Sequence, residues 1–235
     1  MNWVTIFLIV LICFTTLEGV YRGFLHSIMN LGAFFLSIIT SFLLYPVVST
    51  AVKSNNKIFD FLLYYTEGAE KIATFKDTNI LIDNLSANRL QGIITASKVN
   101  EPFATLIEQN VTAKVFADQG LTKIGDYYNM TIVCAVLNIL SFLSVLIIAY
   151  IVFTFVLGVV NYTIKFPELK QYDRSSGAVF GAIRGLLVCF MIVTIVPVIF
   201  LLVPVDQISE YFSNSSFAAL FYENNIFLNL IRGTV

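Results

Sequence analysis

Residues 131–164 read TIVCAVLNILSFLSVLIIAYIVFTFVLGVVNYTI, about 34 residues in succession without a charged side chain. A bilayer hydrocarbon core about 30 Å thick is crossed by about 20 apolar residues in a helix. The stretch is therefore longer than one upright span needs and too short for two spans and a turn. It predicts a single long helix that tilts in the membrane or protrudes from it. Asn138, Ser141, Ser144 and Thr154 interrupt it. Because lipid offers the backbone no hydrogen-bond partners, such a run implies an all-α integral membrane protein.

Working outward, three more apolar runs appear. Residues 3–17 form the first, extended as far as Tyr21, with no positive residue before Arg22 and hence the character of a retained span. Residues 24–44 form the second, closed by Tyr45 and Pro46, and residues 177–205 the last, with Pro197 and Pro204 near its far end. About four crossings result, in two tandem pairs. Of the 235 residues, 57% are hydrophobic and only 12% charged, against about 25% charged in a globular domain. The expected organisation is a first transmembrane hairpin at 1–45, a helical insertion at 46–129, a second hairpin at 130–204 and an amphipathic tail at 205–235. In the tail, Phe217, Leu220, Phe221, Asn224 and Phe227 repeat at helical spacing.

The insertion is watery, holding eight of the Lys and Arg residues and nine of the acids, interleaved. Ile58, Phe61, Leu62, Tyr65, Ala69 and Ile72 nevertheless recur at helical spacing, as do Phe103, Leu106, Ile107 and Val111 after Pro102. Amphipathic helices broken near residues 78–79 and 100–102 are expected, packed on each other. Orientation follows from the short connectors, since long loops translocate largely regardless of charge. Arg22 marks one, and Lys165, Lys170 and Arg174 another, so both face the cytoplasm and the termini and the 46–129 segment lie outside it.

A net charge of −1 excludes the basic surface that nucleic acid requires. The lipid bilayer is the first partner, with protein partners through the 46–129 segment. No catalytic, cofactor or metal site is read. His26 is the only histidine, and Cys13, Cys134 and Cys189 each sit in an apolar run with no second thiol nearby in sequence.

The most specific local pattern is GxxRG, present twice: Gly19-Val20-Tyr21-Arg22-Gly23 and Gly181-Ala182-Ile183-Arg184-Gly185. Glycines four apart lay a flat stripe along a helix and admit a neighbouring backbone. In the last run the stripe begins at Gly177. Glu18 stands four residues before Arg22, the favourable orientation for an ion pair on one helical face. Arg184 lies some 10 Å along the helix from Gly177, where a charge costs about 3 kcal/mol unless it snorkels or pairs. Glu18 and Asp173 are its candidate partners. Two readings stand: a snorkelling arginine, or an ion or lipid-headgroup site on the cytoplasmic side.

With Gly19-Val-Tyr-Arg22-Gly23-Phe24 after the first span and Asp173-Arg174-Ser-Ser-Gly177-Ala-Val-Phe-Gly181-Ala-Ile-Arg184-Gly185 opening the last, the chain resembles the bacterial colicin V production protein (CvpA) family. The resemblance covers residues 2–44 and 130–202, and an Asp usual near the family's N-terminus is replaced by Val4 and Thr5. It implies a multi-pass bacterial inner-membrane protein without enzymatic activity, an accessory in toxin or peptide production or secretion and in cell-envelope homeostasis. The alternative is a small channel or transporter, which four spans would form only as a homo-oligomer.

Overall fold

The computed structural model of the protein describes residues 3–97, 99–164, 173–202, 212 and 215–235. Lys165, Lys170 and Pro204 lie outside them, and of Asp173 only the backbone is described. Among the described residues the chain is helical, without strands beyond one isolated antiparallel bridge between Leu81 and Lys123. The helices are α1 (Trp3–Lys53), α2 (Asn56–Thr66), α3 (Phe75–Thr78), α4 (Ala87–Ala96), α5 (Phe103–Thr112), α6 (Ile124–Ile164), α7 (Asp173–Val193), α8 (Val196–Leu202), α9 (Ser216–Glu223) and α10 (Ile226–Leu230). Three helical stretches are long and apolar enough to cross a membrane: α1, Ile124–Val160 of α6, and Arg174–Leu202 through α7 and α8. The protein is an all-α membrane protein.

Two compact units divide the chain. The first comprises Met1–Tyr45, Phe142–Val196 and Val205–Phe227, the second Pro46–Ser141, Pro197–Pro204 and Leu228–Val235.

In the first unit, α1 is broken at Gly23, whose φ of 80° and ψ of 178° fall in a region essentially reserved for glycine. A straight helix would separate Leu8 from Phe42 by about 51 Å. Instead a short chain of contacts joins them. Cys189 Sγ lies 3.8 Å from the Leu8 carbonyl, Asn225 donates to the neighbouring Phe190 carbonyl at 3.0 Å, and the Phe227 ring is 6.4 Å from that of Phe42. The limbs 3–22 and 24–45 therefore fold back on each other at Gly23. They correspond to the two apolar runs 3–17 and 24–44 of the sequence, joined here in one interrupted helix.

Each limb has an antiparallel partner. Against 3–22 lies α7, with Gly177 beside Gly19, Gly181 beside Thr15 and Gly185 beside Ile12. Against 24–45 lies the second half of α6, with Phe34 on Tyr150 at 5.7 Å and Phe42 on Phe142 at 4.7 Å. Outward faces carry exposed Phe7, Phe14, Ile39, Leu43, Ile151 and Phe155. Such a surface is stable only with lipid against it.

The second unit packs α2, α4, α5 and the first half of α6 around Phe103, Ile107, Phe116, Ile124 and Ile132. Helix starts are capped locally: Asn55 accepts from the Lys57 amide and Ser86 from the Arg89 amide. Here lies the reason for the excess length of the 131–164 run. Residues 132–139 are buried in this core; α6 passes into the first unit at Phe142, and its exposed large apolar side chains begin at Ile147. The remaining 23 or so residues span about 34 Å, close to one upright crossing. The helix is long because its first part is the core of a second unit.

The tail also departs from expectation. Its helical part, α9, joins the first unit through Phe221 on Phe190 (4.8 Å) and Ser215 on Thr5 (2.6 Å). Residues 228–235 belong to the second. There Asn138 donates to the carbonyls of Arg232 and Thr234 at 2.7 and 2.9 Å. Asn110 donates to the Gly233 carbonyl at 2.9 Å, and Lys53 to that of Val235 at 3.1 Å. Three polar side chains thus satisfy an extended backbone that has no helical partners of its own.

Candidate functional site

Three charged side chains of the first unit, Glu18, Arg22 and Arg184, meet near the turn of α1 at Gly23. Glu18 and Arg22 face each other one helical turn apart, Arg22 Nε lying 3.1 Å from Glu18 Oε1. The other carboxylate oxygen, Oε2, accepts from Arg184 Nη2 of α7. The glycine stripe makes this reach possible. A Cβ on Gly177 would stand 2.2 Å from the Gly19 carbonyl oxygen, and one on Gly181 2.5 Å from that of Thr15. With no Cβ atoms at the crossing the backbones touch, and Arg184, between Gly181 and Gly185, meets Glu18 across the seam.

Beyond the turn the cluster continues. Arg22 Nη1 lies 2.7 Å from His26 Nε2. A guanidinium can only donate, so Nε2 accepts and the imidazole keeps its proton on Nδ1. Glu18, Arg22, His26, Asn30, Tyr150 and Arg184 line a cavity of about 280 Å³. It has a wet end and a dry end: the side chain of Arg22 is 49% exposed and that of Arg184 only 8%. Thr154 also lines the cavity, and its hydroxyl is buried without a hydrogen-bond partner among the described residues. Two arginines, one carboxylate and a neutral imidazole leave one positive charge.

Of the residues singled out in the sequence, Glu18, Arg22 and Arg184 meet here, and Gly19, Gly177, Gly181 and Gly185 form the seam that brings them together. Gly23 has a different task, the reversal of α1. Arg174 is exposed, and the Asp173 side chain lies outside the described residues. His26 stands out in the sequence only as the single histidine, and no motif there gathers it with Asn30, Tyr150 or Thr154. A signal was present for two of these: Glu18, Arg22, His26 and Asn30 recur at intervals of four through the first GxxRG. Tyr150 and Thr154, on a helix more than a hundred residues away, carry no such mark. Among the described residues no group of three or more His, Cys, Asp or Glu side chains could hold a metal.

A family model described as colicin V production protein matches residues 89–225, more than half of the chain. The chain belongs to the colicin V production protein family. The match begins at α4 and so takes in part of the segment that the motif-based resemblance left out, while the first hairpin, where Gly19 and Arg22 carried that resemblance, lies before it. Within the site, Tyr150, Thr154 and Arg184 fall inside the matched colicin V region, and Glu18, Arg22 and His26 precede it. No curated protein and no solved structure matches the chain.

Proposed function

We propose that this colicin V family protein is a multi-pass component of the bacterial inner membrane that serves toxin or peptide production or export and envelope homeostasis, acting without chemistry of its own. The observation that carries this reading is the family match itself, joined to three membrane-length helices. Orientation rests on the positive-inside rule. Arg22 and the exposed Arg174 support a cytoplasmic reading of the connectors that carry them, and with it an extracytoplasmic reading of the 46–129 segment, which is proposed to meet protein partners.

Two measurements test it. In a producing strain, removing the protein lowers the amount of peptide toxin outside the cell, and re-expression restores it; unchanged export refutes the role. For topology, Phe75→Cys, at an 83% exposed position of the second unit, reacts with a membrane-impermeant maleimide on intact spheroplasts, and Arg174→Cys reacts only after permeabilisation. The reverse labelling refutes the orientation.

A second reading, a small oligomeric channel or transporter, is favoured by the charged cavity inside the spanning unit. Proteoliposomes that pass no ions or small solutes at any potential remove it.

A further inference from the structure

The charge count of the cavity is unusual for a purely structural ion pair. A buried arginine needs one carboxylate, and Glu18 supplies it to Arg184. Yet the same carboxylate also holds Arg22, whose Nη1 turns to His26. Among the described lining residues one positive charge is left over, at the half-exposed Arg22 end of the pocket. The cavity, about 280 Å³, has room for a group of headgroup size. Among its lining residues is Thr154, whose buried hydroxyl has no hydrogen-bond partner among the described residues.

We infer that this cavity is a binding site for a singly charged phosphate group, entering past Arg22 and held between the Arg22 and Arg184 guanidiniums with Thr154 as a further donor. Arginine forks match the oxygens of phosphate, and one negative charge neutralises the cluster. Glu18 competes with the ligand for both arginines while keeping them in place when no anion is bound. The group can come from an anionic phospholipid headgroup or from free phosphate, since the chemistry recognised is the same. The site stands whether or not the protein serves export, so failure of either proposal leaves the other intact.

The test uses the full chain, purified in a neutral detergent, and follows thermal unfolding with three probes: dihexanoyl phosphatidylglycerol, inorganic phosphate and, as a zwitterionic control, dihexanoyl phosphatidylcholine. At a hundredfold excess over Kd the expected rise in Tm is on the order of 5 °C or more. A rise with phosphatidylglycerol alone identifies the lipid headgroup as the source, and a rise with phosphate identifies the free anion; either supports the site. Arg184→Gln risks the fold, so the decisive variant is Arg22→Gln at the exposed end, which loses most of the rise. Arg174→Gln, an exposed arginine that does not line the cavity, keeps it. Glu18→Gln lowers the ligand-free Tm but enlarges the rise, because the competitor is gone. The proposal is overturned by no rise with either anion, by an equal rise with the control lipid, by a full rise in Arg22→Gln, by its loss in Arg174→Gln, or by a rise in Glu18→Gln no larger than in the unsubstituted protein.

Discussion

Substituting Gly181 by alanine sets two opposed effects against each other, and the structure decides between them. Alanine is favoured over glycine inside a helix by about 0.8–1 kcal/mol. At Gly181, however, the new methyl would lie 2.5 Å from the Thr15 carbonyl oxygen and 3.2 Å from the Cα atoms of Gly19 and Thr16. All three are backbone, so no rotamer change relieves the clash. To restore contacts near 3.5 Å, α7 and the 3–22 limb must part by about 1 Å. Overpacking of this kind costs roughly 1–3 kcal/mol, and the separation also stretches the Glu18–Arg184 pair. The net expectation is a loss of about 1–2 kcal/mol. Gly32 is the internal control, a helical glycine of the same unit with nothing within 4 Å of its added methyl, where alanine gains roughly 0.5–1 kcal/mol. The two variants should therefore diverge by about 1.5–3 kcal/mol, or about 3–12 °C in Tm for a chain of this size. Thermal unfolding of both in the same detergent measures it. Equal shifts, or a Gly181→Ala variant as stable as Gly32→Ala, would refute the account of the seam.

Gly23→Ala forces a side chain into a backbone conformation only glycine occupies readily and should cost about 1–3 kcal/mol, seen as a lower Tm and less folded protein extracted from membranes. Asn138→Leu leaves the carbonyls of Arg232 and Thr234 without their donor, a loss of about 1–3 kcal/mol, and limited proteolysis should then clip residues 232–235 faster. Asp83→Asn should leave Tm unchanged, because its ion pair with Lys114 is solvent-exposed; what it should move is the Lys114 ammonium, which Asp83 raises above the usual lysine range by hydrogen bond and charge.

The membrane character, the approximate spans and the helix breaks of the insertion were legible because each is written in local composition or period. The 131–164 run misled in one respect. Hydropathy records that a residue avoids water and not which apolar medium it enters, so the residues buried around Ile132 to Ile139 in a protein core read the same as Ile151 and Phe155, which face lipid. Asn138 was the clue: a buried amide nitrogen within that stretch must find acceptors, and it finds the carbonyls of Arg232 and Thr234. No local pattern announces a partner nearly a hundred residues away. The Glu18–Arg22 pair was readable from spacing, whereas the choice of Glu18 for Arg184 depends on a crossing between α7 and the 3–22 limb that only the folded chain defines.

The two GxxRG segments share a sequence and divide the work. In the second, both glycines lie inside α7 and give up their side chains to the seam. In the first, Gly19 does the same while Gly23 ends one limb and starts the next. That single backbone difference decides where the arginines go. Arg184 remains on a continuous helix and is driven inward, to 8% side-chain exposure, whereas Arg22 sits at the last turn before the reversal and stays half in water. Both reach Glu18 because the seam is close enough for a single carboxylate to serve two helices. An ordinary buried pair would need only one of them. The doubling of the motif therefore produces a cluster with a buried anchor, an exposed entrance and, among the described lining residues, one more cation than anion, which is the arrangement expected of a site that receives an anion from one side.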